Sequence, residues 1–326
     1  MSFQLNGGQE QQEAAGVPQA IPAASLGFQT LMMVNTSPIA VGDNAGTSVI
    51  DLGDLDGTDG FSIEGVASDD YSGGSVSSAG DVNGDGFDDL IIGATGVDEN
   101  GSGAGAAYIV FGKASGFGAN LGLAGLDGTN GFRLEGVAAG DWAGMSVSGA
   151  GDVNGDGFDD VIVGGYHADP NGVDSGSSYV VFGKAGGFAA STNLSTLDGT
   201  NGFRLDGVAA SDLAGGVSNV GDVNGDGFDD VIIGARYADH GGSNSGSAYI
   251  VFGKAGGFSA TMDLSTLNGT NGFRLDGEAS KDAIGTSLLN AGVGDINGDG
   301  FDDVIVGAFG ADINDSNSGS AYVVFG

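Results

Sequence analysis

The nine-residue string DVNGDGFDD begins at Asp81, Asp152 and Asp222 and returns as DINGDGFDD from Asp295, so one acidic loop recurs every 70 to 73 residues. Self-similarity at a fixed period marks a repeat array. Each repeat is then a small unit that buries its apolar face only against its neighbours.

Every loop places Asp at position one, Asn at three, Asp at five and Asp at nine, with Gly at four and six where the backbone must fold back tightly. Short oxygen-bearing side chains on alternate residues converge on one point. That is the chemistry of calcium, a hard cation that takes six to eight oxygen ligands at roughly 2.3 to 2.6 Å. In the first copy the expected donors are Asp81, Asn83, Asp85, the backbone carbonyl of Phe87, and Asp89, with Asp88 pointing away. The other sets are Asp152, Asn154, Asp156, Phe158 and Asp160; Asp222, Asn224, Asp226, Phe228 and Asp230; and Asp295, Asn297, Asp299, Phe301 and Asp303. The expectation is about four bound Ca²⁺ ions. An EF-hand opens in the same way but needs a bidentate Glu at position twelve and flanking helices. Here position twelve is Ile92, Val163, Ile233 or Val306. Runs such as Leu90-Ile91-Ile92-Gly93 follow each loop, so the loop joins strands. Asn-Gly and Asp-Gly also favour plain hairpin turns, but a turn alone does not need three carboxylates converging.

Composition narrows the class. The 326 residues include 68 Gly and only four Pro, which suits short strands and tight turns better than helices. Eight basic residues stand against 43 acidic ones, a formal net charge of −35, so nucleic acid and anionic membrane surfaces are poor partners. Such acidity also simply keeps an extracellular protein soluble. The absence of cysteine removes disulfides, thiolate metal sites and a cysteine nucleophile. Calcium points outside the cell, where weak sites fill. No secretory leader is visible at the N-terminus, because the first basic residue is Lys113. The apolar stretch from Ile21 to Val34 is interrupted and too short to span a bilayer. The expectation is export by another signal, or a chain that is one piece of a longer polypeptide.

Everything around the loop repeats as well. The third unit runs from GFRLDG at 202–207, through AGGVSNVGDVNGDGFDDVIIGARYAD, to SGSAYIVFGKAGGF ending at Phe258. Each unit offers four short strands; in the second they are expected at Met145 to Ala150, Val161 to Gly164, Ser178 to Phe182 and Phe203 to Leu205. A four-stranded antiparallel sheet at fixed period reads as a propeller blade. The pairing of YIVFG or YVVFG with DVNGDGFDDVIIGA resembles the FG-GAP repeat, the blade unit of the integrin alpha-chain propeller and of many bacterial surface and secreted proteins. The resemblance covers about residues 50–326 and implies an all-β propeller whose loops bind calcium at one rim. Integrin propellers have seven blades and only four loops lie here, which leaves closure open. FSIEG at 61–65 is equivalent to the strand that elsewhere follows VVFG, whereas Tyr322 to Gly326 lacks one. An N-terminal strand completing the last blade would close a four-bladed ring; the other reading is an arc of a larger propeller. Residues 1–49 carry no acidic loop and read as a linker or extension preceding the propeller region at 50–326.

Outside the loops, Tyr71, Trp142, Leu213 and Ala283 hold one repeat position, where the Trp is a stacking platform or, as expected here, packs between blades. Arg133, Arg204 and Arg274, with Lys113, Lys184 and Lys254, read as structural counter-charges. His167 and His240 lie close to Asp169 and Asp239 but have no supporting catalytic spacing, and no catalytic residue is assigned. Asp98, Asp169, Asp239 and Asp312 recur in the same segment and are expected to add a turn or a rim contact, a second metal site being the weaker alternative. The functional expectation is a calcium-stabilised extracellular binding and adhesion module for a protein or glycan ligand, not an enzyme. The rivals are a polysaccharide lyase or hydrolase, and an architectural spacer in a large adhesin.

Overall fold

The computed structural model describes residues 50–286, 288 and 291–326; the expected linker over 1–49 lies outside the described residues. Strands form where β-branched and aromatic residues run between glycines. A one-turn 3-10 helix (Leu52–Asp54) precedes β1 (Ser62–Glu64). The first complete unit holds β2 (Val76–Gly80), β3 (Asp89–Ala94), β4 (Ala106–Val110), the short β5 (Asn120–Gly122), a 3-10 turn (Leu123–Gly125) and β6 (Gly131–Glu135). The second holds β7 (Ser146–Gly151), β8 (Asp160–Gly165), β9 (Ser177–Val181), β10 (Ser191–Asn193), a 3-10 turn (Leu194–Thr196) and β11 (Gly202–Asp206). The third holds β12 (Ala214–Gly221), β13 (Asp230–Ala235), β14 (Ser247–Val251), β15 (Thr261–Asp263), a 3-10 turn (Leu264–Thr266) and β16 (Gly272–Asp276). The fourth holds β17 (Gly292–Gly294), β18 (Asp303–Ala308) and β19 (Ser320–Val324). The expected strands of the second unit thus agree with β7, β8, β9 and β11 to about one residue.

Sheet order is β10-β6-β4-β3-β2, then β15-β11-β9-β8-β7, β12-β13-β14-β16 and β17-β18-β19. The four-stranded antiparallel blade is there, with one addition. The three-residue strands β10 and β15 run parallel along the outer edges of β6 and β11, so each of these blades borrows a fifth strand from the unit that follows. The same parallel register joins β1 to β5, from Ser62↔Asn120 to Glu64↔Gly122. Phe61 stacks on Phe117 at 4.2 Å, as Phe132 does on Phe188 and Phe203 on Phe258, both at 4.5 Å. These contacts make β1 the fourth strand of a blade preceding the first sheet. Among the described residues no ladder joins β1 to β19, so the closing contact expected of a four-bladed ring is not formed there.

The cores lie between blades. One apolar cluster joins Ile109, Phe132 and Leu134 of the first blade to Val147 and Val163 of the second. The next joins Phe203 and Leu205 to Val217 and Ile233. Burying each such large side chain stabilises by about 1.5–3 kcal/mol, and no blade can bury its own faces alone. The blades approach so closely that one position admits only glycine: a Cβ on Gly93, Gly164 or Gly234 would come within 2.0, 1.8 or 2.1 Å of the Gly144, Gly215 or Gly285 carbonyl oxygen.

Adding one methyl there is therefore expected to be costly. Gly164→Ala should destabilise by about 1–3 kcal/mol or more through overpacking against fixed backbone, whereas Gly118→Ala, which meets nothing within 4 Å, should be close to neutral. Denaturant unfolding of the two variants compares them directly.

Candidate functional site

Each acidic loop connects the first and second strands of its blade and is shaped by its own side chains. The Asp85 N–H donates to Asp81 Oδ1 at 3.0 Å and to Asn83 Oδ1 at 2.8 Å. Gly86 N–H donates to Asp81 Oδ2 at 2.9 Å and Phe87 N–H to Asp85 Oδ1 at 3.0 Å. The loops at Asp152, Asp222 and Asp295 repeat this pattern. Gly84 and Gly86 sit at φ of 72° and 89°, the left-handed region that favours glycine. The side chains at positions one, three and five are thereby gathered around the same backbone amides.

Position nine lies deeper. Asp89 is buried, with Oδ2 accepting from Val82 N–H at 3.1 Å and Oδ1 from Gly112 N–H at 2.8 Å. Asp160, Asp230 and Asp303 are tied in the same way to Val153 and Gly183, Val223 and Gly253, and Ile296 and Gly326. This carboxylate fastens the loop to the end of the third strand, a folding role that the ligand reading did not foresee. Burial pushes the Asp89 and Asp230 carboxyls up to about 7 and that of Asp160 up to about 8, and nearby loop carboxylates add to the rise against the lowering by backbone amides. The donor set suits a hard cation: all oxygen, short side chains, and buried carboxylates with no basic partner in the loop. Among the described residues no three acidic or imidazole side chains already form a cage, because position three is an amide and position nine is turned toward backbone N–H groups.

Position eight, which was expected to point away, reaches the preceding loop. Asp159 Oδ2 accepts from Asp81 N–H at 2.7 Å, and Asp159 N–H donates to the Asp81 carbonyl at 3.3 Å. Asp229 binds Asp152 and Asp302 binds Asp222 by the same pair of bonds. The ring at position seven covers the glycine at position four of the preceding loop, so a Cβ on Gly84, Gly155 or Gly225 would lie within 2.3, 2.2 or 2.2 Å of Phe158, Phe228 or Phe301. Burial raises the Asp229 carboxyl, with Asp159, Asp152 and Asp302 adding to it. The four loops thus form a continuous acidic row.

At the opposite ends of the blades, Tyr71, Trp142, Leu213 and Ala283 have φ between 53° and 55°, the left-handed conformation. A bulky residue there is strained unless its surroundings fix it. Trp142 is exposed rather than wedged between blades, which corrects the packing expectation; its ring meets His167 edge-on at 4.6 Å. With Tyr71, Met145, Asp69 and Asp98 it lines a hollow of about 350 Å³. His167 Nδ1 pairs with Asp174 at 2.8 Å, not with Asp169. Arg274 donates to His240 Nε2 at 2.9 Å, which leaves the neutral ring's proton on Nδ1, 3.2 Å from Ser247 Oγ. Ser247 Oγ itself donates to Asp276 Oδ1 at 2.8 Å, so its proton faces that carboxylate rather than the His240 ring. Asp98, Asp169, Asp239 and Asp312 each accept an N–H five residues on and close the turn as expected. The arginines pair with Glu135, Asp206 and Asp276, while the lysines lie 4.6 to 4.9 Å from the ring centres of Phe117, Phe188 and Phe258.

Repeated four-stranded antiparallel blades, each bearing one acidic hairpin loop, define an all-β repeat protein of propeller type. Residues 72–110, 143–181, 214–251 and 290–324 match the FG-GAP repeat. The chain is 31% identical over 184 residues to integrin alpha-PS5 of Drosophila melanogaster, covering 55% of this chain and 16% of that protein. It is 32% identical over 189 residues to integrin alpha-IIb of Mus musculus, covering 55% and 16%. With integrin alpha-6 of Gallus gallus it shares 29% over 181 residues, covering 54% and 14%. The chain is an FG-GAP repeat protein, integrin alpha-like in these blades, and it spans well under a fifth of the length of those relatives.

A pH dependence follows from position nine. The unperturbed carboxyl value is 3.8, against about 7 to 8 for Asp89, Asp160 and Asp230 in the fold without metal. The stability contributed by the protonated groups is complete below the unfolded value and is lost as pH rises through the folded one. In chelator, Tm should therefore fall between about pH 5 and pH 8, and calcium, which favours the ionised form, should flatten or reverse that slope. Thermal melts at the two pH values with and without chelator test it.

Proposed function

We propose that this chain is an extracellular or surface-displayed binding and adhesion module whose loops hold structural calcium. Asp81, Asn83, Asp85, the Phe87 carbonyl and Asp89, with their counterparts in the other loops, would hold the ion. The observation that carries this reading is the chaining of loops, in which Asp159, Asp229 and Asp302 each bind the loop before. A cation that offsets the carboxylate repulsion in one loop then stabilises both its own blade and the junction to the next. Relatives that bear integrin alpha names are consistent with an adhesive role.

The ligand would be an extracellular protein or glycan, and the aromatic hollow at the rim opposite the loops is the contact face we favour. Tyr71 and Trp142 supply exposed rings there, and Asp69 and Asp98 supply acceptors. Aromatic side chains held by the backbone lose little conformational entropy on binding.

Calcium is expected to raise Tm and to bind at about four sites, each contributing about 2.7 kcal/mol at a hundredfold excess over its Kd. Calorimetry and melts in calcium and chelator measure this, and an unchanged Tm would refute structural calcium. On an array of matrix proteins and polysaccharides, retention should require calcium and should fall at least tenfold in Tyr71→Ala/Trp142→Ala, whose Tm is unaltered. Release of sugar from the array would point instead to a lyase or hydrolase, and no retention anywhere to a spacer.

A further inference from the structure

Position three of every acidic loop is an asparagine followed by a glycine: Asn83-Gly84, Asn154-Gly155, Asn224-Gly225 and Asn297-Gly298. It is the one uncharged side chain among the expected donors, and it is tied to position five. Asn83 Oδ1 accepts from Asp85 N–H at 2.8 Å and its Nδ2 donates to Asp85 Oδ2 at 3.2 Å. Asn154 and Asn297 hold Asp156 and Asp299 by the same two bonds. All four glycines are exposed and lie outside the strands. At Asn130-Gly131, Asn201-Gly202 and Asn271-Gly272 the glycine is instead buried as the first residue of a strand.

An asparagine before glycine is open to attack on its own side chain, because no Cβ on the next residue hinders the approach of the backbone nitrogen. Two of the loops also place a base at that nitrogen. Gly155 N–H donates to Asp152 Oδ1 at 2.7 Å, and Gly298 N–H donates to Asp295 Oδ1 at 2.6 Å. When the nitrogen gives up its proton it bonds to the asparagine Cγ, the bond from Cγ to Nδ2 breaks, and Nδ2 leaves as ammonia with that proton. Water then opens the resulting cyclic imide. Cleavage at Cγ leaves an aspartyl residue, and cleavage at the backbone carbonyl leaves an isoaspartyl residue with the chain routed through Cγ. Water is the only reactant consumed.

We propose that the four Asn-Gly pairs are deamidation sites governed by metal occupancy of their own loops, a proposal that rests on the calcium reading above. Ring closure must turn the Asn83 amide so that Cγ faces the Gly84 nitrogen, against the bonds that hold it to Asp85. A cation held by Asn83 Oδ1 and the Asp81 carboxylate opposes that turn further and occupies the base. Empty loops therefore react, and filled loops keep their asparagine. The aspartyl product puts a fourth carboxylate where Asn83 Nδ2 donated to Asp85 Oδ2. Such a loop binds a hard cation more tightly when full and repels itself more strongly when empty. The isoaspartyl product lengthens the backbone between donors and abolishes the loop. A period without metal is thereby recorded covalently in the chain.

The protein incubated at mildly alkaline pH in calcium or in chelator, then mapped by peptide mass spectrometry, should lose its loop asparagines at least tenfold faster in chelator. Asn171-Gly172 is the internal reference, since its glycine is also exposed but its side chain holds the Gly207 carbonyl and Asp263, each at 2.8 Å, outside the acidic loops. Its rate should change at most twofold, which separates local protection from general loosening. A variant with Asn83→Asp, Asn154→Asp, Asn224→Asp and Asn297→Asp should bind calcium at least tenfold more tightly and melt below the unsubstituted protein in chelator. Equal loop rates in both buffers, equal acceleration at Asn171, or an unchanged calcium affinity in the variant would overturn the proposal while a calcium-raised Tm left structural calcium standing. A Tm unmoved by calcium would overturn both.

Discussion

The grip of each acidic loop on the one before it sets the spacing of the whole array. A carboxylate and an amide from position eight take both backbone groups of position one in the preceding loop, and the phenylalanine at position seven closes over its glycine. The arrangement is demanding electrostatically, since it lines up carboxylates along one rim of a chain already at −35. Charges crowded in this way favour either protons or cations over an empty ionised state. The rim is held together by the groups that repel most, and so its integrity is coupled to the ions around it.

Deeper in the array the contact is of another kind. Glycine backbones of neighbouring blades touch at Gly93, Gly164 and Gly234, which lets the sheets stack closely enough for Phe132, Phe203 and the adjoining aliphatic residues to fill the space between them. Toward the rim opposite the loops, the left-handed residues Tyr71, Trp142, Leu213 and Ala283 are preceded by Asp70, Asp141, Asp212 and Asp282. Their carboxylates accept the N–H groups of Ala67, Ala138, Ala209 and Ala279. One rigid turn thus presents four different side chains in one conformation, so chemistry at that rim varies without any change in the backbone.

Much of this could be read from the residues. The acidic loops, the strands around them and the blade were legible because glycines punctuate β-branched runs at a fixed period. Position nine was seen only as a ligand, since nothing in DVNGDGFDD shows that Asp89 fastens Val82 to Gly112. The parallel strands β5, β10 and β15 escaped notice because three exposed or half-buried residues carry no hydrophobic alternation; the repeated DLSTL beside them was the available signal. Trp142 was placed between blades because residue type suggests burial, whereas its direction is set by a positive φ that composition does not reveal. Closure was ambiguous for a reason inherent in repeats: FSIEG matches the outer strand of every blade equally well, and its pairing with β5 is the one that a ring and an arc both require.

The fifth strand has a bearing on how such chains change length. Because β10 lies on β6 and β15 on β11, the unit of sequence and the unit of structure are out of phase, and these two sheets are each stitched from two successive repeats. Duplicating or deleting one whole period in the gene reproduces the same seam on either side and requires no repacking. A single period in isolation inherits half of two seams, so these blades can multiply or be lost as a series while none of them can become a free-standing domain.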